Sequence, residues 1–427
     1  MSNSKSRWSR LALVWVMSLV IAGGFTQRQP AAAQSPAPAV GVACTTGPTF
    51  SLVAGSGYIQ MPDMNTMFMW SYSLEGGPFQ HPGPVLCVNE GETVTVILNN
   101  TLAVPVSILF PGQDNVLANG VPAQPEFDGS GNLVSLTQSA AAGGSATYSF
   151  VAAHPGTFIY ESGTDPKMQV SMGLFGALIV RPALGASYVY NRADSQFTPS
   201  EEFLALLSEI DPYQHQAVEM GQAYNMNNYR ARYWMINGRG FPDSIADNFA
   251  TWLPSQPYGA LARIYPYDPA VHPYPAVERF INVGTEEYPF HPHANNGLLI
   301  GRDGHPLEDG GLDLSMEKFS FNIGPGQAWD VVFKWYDAEH YDETTNPVPV
   351  NPLPDLVNLT LGMFYSGSPY LGTLATLPPG ATTLNKCGEY YIISHNHALF
   401  QLDAFNQTMS GPITYLRVDP PQPNNCP

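Results

Sequence analysis

Charge is scarce in this sequence, and positive charge most of all. Only 12% of the 427 residues are Asp, Glu, Lys or Arg, with 17 basic against 35 acidic. The formal charge of −18 repels nucleic acid and anionic lipid, whereas a cationic substrate or a metal ion is electrostatically welcome. Cysteine is nearly absent too, limited to Cys44, Cys87, Cys387 and Cys426. None stands in a CxxC pair or beside a histidine at ligand spacing, which argues against a thiolate metal site. There is no glycine-rich phosphate loop and no GxSxG nucleophile elbow. Beyond the first 33 residues, no apolar run approaches the roughly 20 residues that a membrane helix needs.

What is plentiful is proline and glycine, 40 and 39 residues, as an all-β chain with many turns requires. The N-terminus has the pattern of a signal peptide over residues 1–33. Lys5, Arg7 and Arg10 precede the apolar run Leu11 to Ala22, and Ala31-Ala32-Ala33 offers a cleavage site. The alternative is an uncleaved anchor. Cleavage would remove four basic residues and take the charge to −22. Export, to a periplasm or the cell exterior, favours disulfides. Cys44–Cys87 and Cys387–Cys426 are the expected pairs, because each stays within one half of the chain.

Strand-like segments such as Val94-Thr95-Val96-Ile97-Leu98 and Gly176-Ala177-Leu178-Ile179-Val180 alternate with turns, and one short helix is expected between Ile210 and Met220. The halves read as copies of one unit. Leu109-Phe110-Pro111 and His291-Pro292-His293 lie 182 residues apart, as do Gly144-Ser145-Ala146 and Gly326-Gln327-Ala328. Gly156-Thr157-Phe158-Ile159-Tyr160 aligns with Gly388-Glu389-Tyr390-Tyr391-Ile392 at 232, placing an insertion in the second half. Two Greek-key sandwiches follow, over 40–185 and 199–427.

Several stretches resemble the multicopper oxidases. Gly83 to Val94 is similar to the strand before the first HxHG motif, Gly156 to Gly163 to GTxWYHSH, and Gly173 to Val180 to the strand that follows. Pro289-Phe290-His291-Pro292-His293 is similar to HPxHxH, and Ser394-His395-Asn396-His397 to HCHxxxH. The resemblance implies two cupredoxin-like domains and copper chemistry. Of the eight histidines that hold the family's trinuclear copper, the first pair falls on Leu109 and Pro111, the second on Glu161 and Gly163, the third on His291 and His293, and the fourth on Ile393 and His395. Three survive. The type 1 copper ligands fall on Tyr288, Ser394 and Leu399, and none survives. A register shifted by two puts the fourth pair on His395 and His397 and the missing cysteine on Asn396. Either way, laccase-like oxygen reduction by this chain alone is not expected.

His291, His293, His395 and His397 remain as candidate metal ligands. Spacing of two on a strand sends both side chains of each pair to one face. Neutral imidazoles suit copper first and zinc as an alternative, or the four form a hydrogen-bonded relic with no metal. Glu161 is an accessory candidate, as base or ligand, or else a loop cap accepting from the Gly163 and Thr164 amides. Met61, Met64, Met67 and Met69 read as a packed strand face or a thioether site for Cu(I). The function that follows is a secreted copper-binding relative of the multicopper oxidases, with redox activity left open. The alternative is a non-catalytic extracellular binding or structural module on the same fold.

Overall fold

The computed structural model describes residues 40–293, 296–336, 345, 352–358, 362–368, 371–374, 390–405, 407–421 and 424. The chain is all-β, with two cupredoxin-like sandwiches in sequence. In the first, a sheet of strands Cys44–Thr46, Val85–Asn89, Phe175–Arg181 and Gly156–Glu161 covers a six-stranded sheet centred on Thr49–Gln60 and Thr93–Asn100. Alternation drives the packing. Val94, Val96 and Leu98 point inward with Phe50, Leu52, Tyr148 and Phe158, while the residues between them are half-buried or exposed. In the second, a sheet including Glu202–Ile210, Ala276–Asn282 and Ala328–Phe333 covers a five-stranded sheet. The latter runs Ala262–Ile264, Ile413–Val418, Tyr390–Asn396, Tyr288–Pro292 and Phe321–Ile323. The expected helix spans Pro212–Glu219, started by the Asp211 carboxylate accepting from Tyr213 N. Among the described residues no helix is long and apolar enough to cross a membrane.

Between the sandwiches, Val85, Ile159, Ala177 and Ile179 pack on Leu204, Leu206, Ile281 and Ala328. A buried ionic cluster spans the same seam. Arg279 Nε donates to Glu202 at 2.6 Å, and its Nη1 donates to Thr157 Oγ1 at 2.9 Å and to Asp330 at 3.1 Å. Arg181 holds Glu202 from the first sandwich, 2.7 Å away. Cys44 and Cys87 form a disulfide joining two neighbouring strands, with Cα atoms 5.6 Å apart. Cys387 and Cys426 lie outside the described residues, as do the signal-peptide segment and residues 294–295.

The strand ladders correct the repeat. Gly156 lies opposite Val180, and Tyr390 lies opposite Val418. Leu109 bridges Glu161, and His291 pairs with His395. Gly156 therefore corresponds to Tyr390, two residues beyond the alignment on Gly388. Gly-aromatic runs resemble one another in side chains alone, whereas hydrogen-bond register fixes the position. The shifted register for the fourth pair, His395 and His397 opposite Glu161 and Gly163 in the repeat, is the one the backbone adopts.

Candidate metal centre

The four histidines meet on one face of an antiparallel strand pair. His291 sits directly across from His395, His293 N donates to Ile393 O at 2.9 Å, and His397 N donates to Pro289 O at 2.7 Å. With a period of two, residues 291, 293, 395 and 397 share one face, while Tyr288, Phe290 and Ile392 fill the core behind it. Their rings cluster. Centroids are 5.0 Å apart for His291–His293 and His293–His395, 5.2 Å for His291–His397, and 5.5 Å for His395–His397. His395 is buried, His291 half-buried, and His293 and His397 reach solvent. A cavity of about 610 Å³ opens beside His291, Leu298, Phe319 and Lys334.

Hydrogen bonding sets the tautomers. His291 Nδ1 faces the Phe319 carbonyl at 2.7 Å, and His395 Nδ1 faces the Asn396 carbonyl at 2.8 Å. A carbonyl only accepts, so each Nδ1 carries the proton and each Nε2 keeps its lone pair. His395 Nε2 lies 3.0 Å from His293 Nε2, which makes His293 the donor when both rings are neutral. Burial lowers the pKa of His395, the Asn396 hydrogen bond partly offsets this, and the charges of His293, His291 and His397 add to it. Burial, followed by the charges of His291 and His397, lowers that of His293. Both shifts favour neutral imidazole. As the side chains stand, no three His, Cys, Asp or Glu groups among the described residues are set to hold a metal ion, and the His293 and His395 nitrogens face each other.

The corresponding face of the first sandwich has different chemistry. Leu109 and Glu161 exchange backbone hydrogen bonds of 2.7 and 3.2 Å. A Cβ on Gly163 would sit 2.7 Å from Leu109 Cγ, so no larger residue fits there beside Leu109. The Glu161 loop-cap expectation fails, since Ser107 Oγ takes the Gly163 amide and Ser162 Oγ takes that of Thr164. Burial raises the Glu161 pKa.

Two of the three type 1 positions also move by two. HCHxxxH laid on the backbone register puts its cysteine at Asn396 and its last histidine at Gln401. These two are hydrogen-bonded to each other, Asn396 Nδ2 donating to Gln401 Oε1. Gln401 Nε2 donates to Glu286 Oε2 at 2.6 Å, and Trp234 Nε1 donates to the same oxygen at 3.0 Å. Tyr288, at the third position, donates to buried Glu209 at 2.7 Å. Ser394 is buried and Leu399 is exposed, away from this network. The first sandwich, meanwhile, contains the matching segment, as residues 78–184 fit the family model described as multicopper oxidase.

The chain resembles the multicopper oxidases. Its fold superposes on the multicopper oxidase mgLAC with a TM-score of 0.57 at 19% identity, covering 87% of this chain and 86% of that one. The blue copper oxidase of Nitrosomonas europaea gives 0.57 at 18% identity, with 87% and 85% covered. The copper nitrite reductase of Nitrosomonas europaea gives 0.50 at 18%, with 89% and 96% covered. These likenesses are of fold. A probable nitrite reductase–hydroxylamine oxidoreductase fusion protein of Kuenenia stuttgartiensis is 29% identical over 234 residues, 54% of this chain but 22% of that protein. The match thus spans about a fifth of that relative's length. Against the multicopper oxidase motifs, this chain keeps donors on one sandwich face and fills the type 1 positions with hydrogen-bonded side chains.

Two buried histidines carried no sequence signal. His81 is fully buried with neither ring nitrogen in hydrogen-bonding geometry, and burial, with the nearby charge of His215, lowers its pKa to about 3 despite the Gly173 backbone beside it. His215 is tied to the Phe68 and Ser171 carbonyls at 2.6 and 3.1 Å. Met61, Met67 and Met69 pack with Ile59, Ile210 and Met235, while Met64 is exposed.

Proposed function

We propose that this is a secreted copper-binding protein of multicopper-oxidase type, holding one metal ion on the second sandwich and lacking the type 1 and trinuclear centres. The observation that carries this reading is the convergence of the His291, His293, His395 and His397 rings on one face. The donor set fits. His291 and His395 each donate Nδ1–H to a backbone carbonyl, an arrangement that orients metal-binding imidazoles and raises their basicity. Neutral imidazole favours Cu(II) over Zn(II) by intrinsic affinity. His293 would change tautomer and release its bond to His395, and exposed His397 is free to turn inward. Copper bound there would supply Lewis acidity and a one-electron couple. The chain's own contribution is to gather the imidazoles on one face, to favour the neutral form of His293 and His395, and to leave the 610 Å³ cavity open on one side.

Elemental analysis of protein purified from its native compartment tests the reading, with copper loading and His291→Ala and His395→Ala alongside. About one copper per chain, lost in both variants, is expected. Zinc in preference to copper would revise the metal. Content far below one, or unchanged in both variants, would favour the non-catalytic module. The Asn396–Gln401–Glu286 network is the observation on that module's side, since it packs the electron-entry position as ordinary protein interior.

A further inference from the structure

A second concavity lies away from the histidines, between strand Thr66–Leu74 and helix Pro212–Glu219. It encloses about 240 Å³ and is walled by Phe68, Tyr213, Tyr233 and Phe405, with Asn65 and Glu219 at its margin. We infer that this groove binds a small organic cation of the quaternary ammonium class. Three independent observations converge on it.

The walls are aromatic, and two of them are accessible while Tyr233 is buried behind. Tyr213 is 57% exposed and Phe405 38%. Tyr233 and Phe405 stack with centroids 6.0 Å apart. Ring faces attract a desolvated cation through their quadrupoles, and a cluster of them suits a rounded charge that donates no hydrogen bonds. Next, the local charge is negative. Tyr58 OH donates to Glu219 Oε1 at 2.5 Å, which fixes that carboxylate at the groove's edge. Glu219 also ends its helix, where the negative end of the helix dipole favours a cation. No Lys or Arg lines the groove, and the chain's excess of acids adds a long-range attraction.

Third, Phe405 carries backbone strain. Its φ is 52°, a left-handed conformation that bulky side chains avoid. The Phe405 amide donates to Arg232 O at 2.7 Å, so the neighbouring segment holds the strained residue in place. Strain of this kind concentrates at ligand clamps. Its effect here is to stack the Phe405 ring on Tyr233 at the groove's wall.

Tetramethylammonium chloride is the probe, titrated by calorimetry into the mature protein with sodium chloride at equal ionic strength as reference. Saturable binding is expected. Glu219→Gln, which keeps a side chain that Tyr58 can bond, should weaken it about tenfold, and Phe405→Ala similarly. Phe405→Tyr should retain binding, which separates loss of the ring from loss of the fold. His291→Ala should leave it unchanged. The inference is overturned if binding does not saturate, if Glu219→Gln binds like the parent, or if methyl glucoside binds at the same groove and tetramethylammonium does not.

Discussion

The two sandwiches hold the same strand crossing in opposite chemical states. At one crossing Leu109 faces Glu161, and at the other His291 faces His395. The backbone preserves the crossing in both, so the fold does not depend on the side chains there. What differs is whether donors are presented. In the second sandwich, four imidazoles share a face with a cavity beside them. In the first, Leu109 occupies the space above Gly163, and a serine–threonine network of Ser107, Ser135 and Thr164 ties the strands behind it. The donor side chains are thus a layer carried on a ladder that both sandwiches share.

The largest effect should come from exchanging the two crossings. Combined His291→Ala and His395→Ala should lower Cu(II) affinity by more than about 100-fold, whereas Leu109→Ala should leave it unchanged. The converse, Leu109→His with Glu161→His, should raise copper above one per chain. Competition titration and elemental analysis read both. Equal losses from Leu109→Ala and from the histidine pair would erase the contrast.

Acid should separate the sandwiches next. His81 in the first sandwich is held neutral down to about pH 3. Its folded pKa is depressed, so the unfolded chain binds the proton first. The stability present above pH about 6.5 is then lost as pH falls through the folded value. The loss is of order 5 kcal/mol. His293 and His395 shift in the same direction and add to it. His81→Phe should flatten most of this dependence in urea titrations between pH 6.5 and 3, leaving the histidine-face contribution. An unchanged slope would show that His81 is not the buried titrating group.

How legible this was depended on the range of the signal. The HxH pairs were readable because period-two spacing dictates a shared face whatever the partner strand. The disulfide was readable from placement of Cys44 and Cys87. The register of the fourth pair was ambiguous, since Gly156 and Gly388 match as residues while the ladder aligns Gly156 with Tyr390. The polar filling of the type 1 position left no local trace, because Gln401 and Glu286 are 115 residues apart. Phe405 and the aromatic groove were equally hidden. Their members come from four separated segments.

The smallest effect concerns Glu161. Burial raises its pKa, so its favourable contribution is present below the unfolded carboxyl value and is lost as pH rises through the folded one. Glu161→Gln should therefore raise the melting temperature at neutral pH, by a gain under about 1 kcal/mol, and leave copper binding unchanged. A fall in copper content in that variant would mean that the two faces do communicate.

Arg279 has a mechanical consequence. Its guanidinium is bonded to Glu202, Asp330 and Thr157, and Arg181 grips Glu202 from the other side. Sliding one sandwich along the other would strand buried charges at a cost of several kcal/mol. The molecule therefore behaves as a stiff bracket with no jaws. If the histidine face takes a metal ion as proposed, the rings would have to turn to meet it while the ionic seam holds the two sandwiches in place.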